Sequence, residues 1–181
     1  MSQSDNPESV LTANPAAEGA PSAVAANPAT RWLALALALA VFAADQASKL
    51  WIVNGVMADG ERVIPLTSFF NIVMAWNRGV SFGMFSGILT PWTLLGFSVL
   101  FAGGLGLWLW RTPVLSLRLG LALMIGGALG NAIDRVRWGA VADFLDVYAF
   151  GWHFWAFNVA DAAISTGAAL LILDSLFRRQ S

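Results

Sequence analysis

Cysteine is absent from the 181 residues, which excludes disulfides, thiolate nucleophiles and cysteine metal sites together. The single histidine, His153, cannot build a multi-histidine zinc site, and no H-E-x-x-H pattern occurs. Any metal chemistry would have to rest on carboxylates alone. Charge is also scarce: charged residues make up 12% of the chain and the formal net charge is -1. That leaves no basic field to release counterions from phosphates, so nucleic acid is excluded as a partner. What the chain has instead is apolar surface, with 57% hydrophobic residues and a mean hydropathy of +0.66. Such a composition belongs in lipid rather than in water.

Residues Met1 to Thr30 are rich in Ala, Pro, Asn, Ser and Glu and carry no Lys or Arg. With nothing periodic and apolar to offset the cost of ordering, they read as a disordered tail. At Arg31 the composition changes abruptly into Trp32-Leu-Ala-Leu-Ala-Leu-Ala-Leu-Ala-Val-Phe-Ala-Ala44, a polar cluster, and Leu50-Trp-Ile-Val53. Val41-Phe-Ala-Ala44 resembles a signal-peptide cleavage site, but the preceding stretch is long and acidic rather than short and basic. The run from 32 to 53 instead has the length of a spanning helix, and 92–110, 114–133 and 154–177 each lie near the roughly 20 residues that a crossing requires. The expected fold is therefore an α-helical integral membrane protein with four transmembrane helices, in which 1–30 is a tail and 31–181 the membrane domain. Most of the nine tryptophans sit near the ends of these runs, as in an interfacial aromatic belt. Gly126 and Gly130, with Gly103, Gly104 and Gly106 on the preceding helix, are expected to let helix backbones approach closely.

The stretch 54–90 differs. Val63 to Val73 and Val80 to Phe85 are β-branched or aromatic and broken by Gly, Pro and Asn, which predicts strands outside the lipid. A fifth helix over Phe69 to Leu89 would carry Asn71, Asn77 and Arg78 into hydrocarbon at a cost of several kcal/mol. Four crossings place both termini on one side with the loop from Arg111 to Arg118. Arg178 and Arg179 flank the last helix, so the positive-inside rule suggests cytoplasmic termini. Against this stands an equal number of cations on the opposite side, Lys49, Arg62, Arg78, Arg135 and Arg137, which sit among polar clusters.

Ionisable groups at membrane depth are expensive and functional by default. Asp45 and Lys49 are spaced i, i+4 and can pair on a helix. Asn131 and Asp134 share a helical face at i, i+3, and Asn158 and Asp161 repeat the spacing, which suggests one shared polar cluster with Arg135 beside it. Asp143 follows the third helix and Asp161 opens the fourth. If the fold joins them, like charge and low dielectric push their pKa values apart, the state an aspartic protease requires. Each could equally cap a helix or pair with Arg135 or Arg137. Gly79-Val-Ser-Phe-Gly83 matches the string G-x-S-x-G, and His153 with an acid could complete a triad, but no α/β hydrolase sheet surrounds it. Ser48 and Lys49 are adjacent, so their side chains diverge on a helix. A small transporter with an ion relay through Asp45, Lys49, Asp134 and Asp161 is the alternative from another class; the paired halves of many transporters are not evident.

Asp45-Gln-Ala-Ser-Lys49, Asn77-Arg-Gly-Val-Ser-Phe82, Gly126 to Arg135, Val141-Ala-Asp-Phe144 and Phe157-Asn-Val-Ala-Asp161 occur in order over everything after the tail. Together they closely resemble lipoprotein signal peptidase, or signal peptidase II. The resemblance implies an aspartic endopeptidase of the bacterial inner membrane, without cofactor, that cuts prolipoproteins before the diacylglyceryl-modified cysteine. It implies Asp143 and Asp161 as the catalytic pair, with Asn131, Asp134, Arg135 and Asn158 around them and Asp45, Lys49 and Asn77 in the same polar set. It further implies a small extracytoplasmic β-rich cradle with a surface helix, an active site near that face, contact with membrane lipids, and inhibition by the cyclic peptide globomycin. The chain is expected to act as a monomer. The tail before Arg31 lies outside the resemblance, and no role transfers to Trp152, His153 or Trp155.

Overall fold

The computed structural model describes residues 28–60, 62–79 and 90–178. Four long helices dominate: α1 (Pro28–Trp51), continued by a π-helical turn (Ile52–Val56), α2 (Pro91–Arg111), α3 (Leu115–Trp138) and α4 (Val159–Arg178). Each is long and apolar enough to cross a bilayer, and the chain is a multi-pass membrane protein. Leucines and aromatics that would destabilise a soluble protein stay exposed along them, among them Phe97, Leu100, Leu107 and Phe177; lipid is the solvent that accepts this surface.

Four strands, β1 (Ile64–Thr67), β2 (Phe70–Asn77), β3 (Val141–Ala149) and β4 (Trp152–His153), form an antiparallel sheet in that order. The sheet is therefore built from two distant segments rather than from 54–90 alone. The pairing of β2 with β3 sets Ala75 opposite Asp143 and Asn77 opposite Val141. A helix through Phe69 to Leu89 is excluded over β2, whereas Val80 to Phe85 lies outside the described residues, as do 1–27. The first helix begins at Pro28, inside the stretch read as tail, because proline lacks an N–H that the first turn leaves unbonded anyway.

The fourth helix departs from the apolar run that suggested it. Phe154 to Phe157 is extended and bonds to β3: the Phe157 N–H donates to the Leu145 carbonyl at 3.0 Å, and the Phe154 N–H to the Val147 carbonyl at 2.7 Å. Hydrophobicity alone cannot separate a helical turn from a strand addition of four residues. The helix starts where Asn158 supplies a cap.

Helix α3 lies at the centre and packs against α1, α2 and α4. Glycines make this approach possible, and at Gly126 a Cβ would stand 2.5 Å from the Ala38 carbonyl oxygen of α1. A Cβ on Gly127 would stand 2.4 Å from the Ala160 carbonyl oxygen, and one on Gly130 would stand 2.4 Å from Asp45 Oδ2. A larger residue at Gly127 would press on the α4 backbone and one at Gly130 on the Asp45 carboxylate, and both contacts lie beside the polar cluster. Gly103, Gly104 and Gly106, read as packing residues, instead face open space, because α2 meets the bundle through Ala102, Leu105 and Leu109 on another face.

Candidate functional site

Three backbone devices aim the polar side chains at one place. Gly139 ends α3 with φ 70, the left-handed conformation that glycine adopts at least cost, and the chain turns directly into β3 with Asp143 near its start. Asn158 and Asp161 then form a reciprocal capping box at the start of α4. The Asp161 N–H donates to Asn158 Oδ1 at 2.9 Å, and the Asn158 N–H donates to Asp161 Oδ2 at 3.3 Å. Asp161 thus does cap a helix, and the cap turns its carboxylate back toward the sheet. Asp45 of α1 completes the helix end by accepting the Ala160 N–H at 2.9 Å. An anion is favoured there, since a helix N-terminus carries about half a positive charge.

The two aspartates are joined through a pair of amides. Asn158 Nδ2 donates to Asp143 Oδ1 at 2.7 Å and to Asn131 Oδ1 at 3.2 Å, while Asn131 Nδ2 donates to Asp161 Oδ1 at 2.8 Å. Asn77 of β2 also hydrogen-bonds the Asp143 carboxyl. Asp143 is 3% exposed. Burial, and next the charge of Asp161, push its carboxyl up to about 7, against the smaller opposing effects of Asn77, Asn158 and Lys49.

Behind the amides lies an ion cluster with no exposure at all. Lys49 Nζ sits 2.8 Å from Asp45 Oδ2 and 2.7 Å from Asp134 Oδ2, and donates to Asn131 Oδ1 at 2.9 Å. Asp134 Oδ2 also accepts the Ala142 N–H at 3.3 Å, tying β3 to α3. Arg135 donates to the Asn131 carbonyl at 2.9 Å, and its charge lies within Coulombic reach of Asp134, Asp161 and Asp143. The residues that the family resemblance singled out, Asp45, Lys49, Asn77, Asn131, Asp134, Arg135, Asp143, Asn158 and Asp161, therefore fall in one connected constellation.

Gln46 belongs to it as well and was passed over in the sequence. Its amide donates to Asp134 Oδ1 at 2.9 Å, to the Gly130 carbonyl at 3.1 Å and to Asp45 Oδ2 at 3.2 Å, and its oxygen accepts from Arg137 at 3.3 Å. An uncharged amide next to Asp45 in an apolar helix was the available signal. The backbone N–H donors of Ala142 and Ala160 had none.

His153 is not part of the site. Its Nδ1 lies 2.9 Å from Asp146 Oδ2, and its ring stacks on Tyr148 with centroids 5.1 Å apart, out on the β3–β4 hairpin. Ser48 Oγ donates to the Asp45 carbonyl within α1 at 2.8 Å. Ser81 lies outside the described residues. Among the described residues no group of three or more His, Cys, Asp or Glu is placed to hold a metal ion.

The two carboxylates open onto different spaces. A cleft of about 390 Å³ reaches from Asp143 past Trp76 and Asn77 to Arg78. A more apolar groove of about 450 Å³ runs from Asp161 down α4 past Ala162, Ser165 and Thr166, walled by Phe154 and Phe157. Trp155 and Ala156 border both. A larger apolar concavity of about 670 Å³ lies under the hairpin and touches neither carboxylate, so size alone would misplace the site.

The chain is similar to known proteins over most of its length. A family profile described as signal peptidase (SPase) II matches residues 37–177. Lipoprotein signal peptidase of Methylorubrum extorquens (strain PA1) is 48% identical over 143 residues, covering 76% of this chain and 82% of that protein. The protein of the same name from Burkholderia vietnamiensis (strain G4 / LMG 22486) is 44% identical over 154 residues, covering 81% and 88%. Two solved bacterial membrane enzymes share the fold. One, at 2.3 Å resolution, has a TM-score of 0.70 and 28% identity over 83% of this chain and 90% of that one. The other, at 1.9 Å, has a TM-score of 0.71 and 29% identity over 80% and 93%.

Proposed function

We propose, on the premise that this chain belongs to the signal peptidase II family, that Asp143 and Asp161 are the catalytic pair of its peptidase activity. Removal of signal peptides from lipoprotein precursors is the activity of that family, and the alternative of an ion-relay transporter falls with this membership. The observation that carries the site assignment is the amide bridge, in which Asn158 holds Asp143 and Asn131 holds Asp161 while a shared bond links the two amides.

The chemistry follows from the shared proton. Burial and the neighbouring Asp161 favour the protonated form of the Asp143 carboxyl. A water held between the pair gives its proton to the ionised partner as it attacks the scissile carbonyl. The acid proton steadies the oxyanion, and collapse of the intermediate delivers a proton to the leaving nitrogen. No metal or organic cofactor takes part.

The substrate is a precursor cut just before its diacylglyceryl-modified cysteine, met at the membrane surface because a lipid-anchored chain leaves the bilayer only at about 0.8 kcal/mol per buried methylene. Purified enzyme in nanodiscs is expected to cut a lipidated precursor at that one bond and the unlipidated precursor far more slowly. Turnover should fall as pH rises through about 7, where the pair loses its shared proton, and globomycin should block it by filling the same cleft. Equal cleavage of both precursors by mass spectrometry would refute the lipid requirement. A rate that stays flat above pH 7 would refute the proton assignment.

In the membrane, the termini and the α2–α3 turn face the cytoplasm and the sheet faces outward. Arg31, Arg111, Arg118 and Arg178 all lie at the termini end of the four helices, as the positive-inside rule favours. Cysteines placed singly at Thr112 and Ser68 should react with a membrane-impermeant maleimide in intact cells only at position 68. Labelling of position 112 alone would invert the orientation.

A further inference from the structure

We infer that the cleft over β2 receives the mature polypeptide on the far side of the cut bond, and that Arg78 selects for acidic side chains near its start. The inference rests on the peptidase reading above. Three parts of the substrate diverge at the scissile bond: the apolar signal helix, the acyl chains of the modified cysteine, and a hydrophilic mature chain that must leave for water. Apart from Asp161, Ser165 and Thr166 the groove along α4 is lined by apolar and aromatic side chains, and the concavity under the hairpin is mostly aromatic and aliphatic. Of these three spaces, and among the described residues, the cleft over β2 is the one that joins a catalytic aspartate to a cation, with Asn77 between them. A peptide backbone leaving lipid finds its polar partners there.

The backbone that carries Arg78 is fixed at the end of β2, and its side chain is exposed to the cleft. Asn77 Oδ1 accepts the Gly79 N–H at 2.8 Å, which turns the chain sharply at the end of β2. Gly79 has φ 79 and approaches α2 so closely that a Cβ would stand 2.1 Å from Leu94 Cδ1. The position next to Arg78 is thereby pinned by a turn on one side and a helix on the other. Trp76, edge-on to Trp138 with centroids 5.5 Å apart, forms a rigid border.

The register sets the distance. Asp143 stands opposite Ala75, and Arg78 lies three residues farther, roughly 10 Å at about 3.3 Å per residue. An extended chain covers that length in about three residues. Counting the modified cysteine as the first residue of the mature chain, Arg78 therefore meets the second or third side chain. Among the described residues lining the cleft, Asp143 and Arg78 are the charged ones, so beyond the catalytic carboxyl the field is positive.

The test uses full-length enzyme in nanodiscs and lipidated precursor peptides carrying Asp, Asn or Lys at the second or at the third mature position. The readout is the ratio of kcat/KM for Asp over Lys, which is internal to each protein and unaffected by its folded fraction. Wild type should prefer Asp by about fivefold at one of the two positions, the size that replacing an exposed attraction with a repulsion supports. Arg78→Gln should bring the ratio near one, Arg78→Glu should invert it, and high salt should flatten it. The same ratio in all three proteins at both positions overturns the assignment of Arg78. Failure of wild type to cut any lipidated precursor overturns the peptidase reading and this assignment with it.

Discussion

Replacing either Asp143 or Asp161 with asparagine is expected to lower turnover of a lipidated precursor by about 10³-fold or more, the scale on which paired catalytic groups fail when one is removed. Asparagine keeps the shape and an accepting oxygen for Asn158 or Asn131 but cannot exchange the shared proton. The two variants should be about equally inactive, since the pair acts as a unit. His153→Ala, which breaks the contact to Asp146 on the hairpin, should retain activity. Retention of full turnover by either asparagine variant would remove the pair from the chemistry.

Stability should move in the opposite sense for Asp143→Asn. The Asp143 carboxyl is raised from 3.8 to about 7 in the folded protein. Between those values the folded state holds a proton that the unfolded chain has lost, so stability falls as pH rises, and above about 7 the penalty is complete. Asparagine carries no such penalty. The variant is expected to unfold at a higher temperature than wild type at pH 8, with the difference gone near pH 4. A lower unfolding temperature at pH 8 would mean that the buried carboxylate is stabilised rather than strained.

Lys49→Met is expected to destabilise the protein by about 3–5 kcal/mol, the cost of leaving buried charge without its partner. Lys49 is the cation between Asp45 and Asp134, and all three are 0% exposed. With it the cluster carries one net negative charge, which the N-terminus of α4 opposes through the Ala160 N–H on Asp45. Without it two carboxylates face each other inside the bundle. Adding Asp45→Asn and Asp134→Asn should recover most of the lost stability, because neutral amides of the same shape need no counterion. Thermal unfolding of the purified variants checks both steps. A single variant within about 1 kcal/mol of wild type would show that the cluster does not depend on this compensation.

The helical expectation rested on particular runs, and its errors are as physical as its successes. Unbroken apolar length near 92–110 and 114–133 corresponds to α2 and α3, since a chain in lipid must bond its own backbone. The same hydrophobicity misassigned Phe154 to Phe157, whose backbone bonds to β3 instead of to itself. It gave no hint of β3 either, because Val141 to Ala149 earns its strand character by pairing with β2, more than sixty residues away in the chain.

By itself the sequence determined that this protein lives in lipid, crosses it on four apolar helices and gathers its few ionisable groups into short i, i+3 and i, i+4 units. Those properties depend on composition and local spacing, which a linear chain already contains. Which units meet was decided by tertiary structure alone. Asp143 reaches Asp161 because Gly126 and Gly127 let α3 close to backbone contact with α1 and α4, Gly130 leaves room for the Asp45 carboxylate, Asn158 caps α4, and β3 finds β2. Burial and like charge then act on Asp143 through neighbours that the sequence keeps far apart, and no local pattern encodes a distance between residues brought together only by packing.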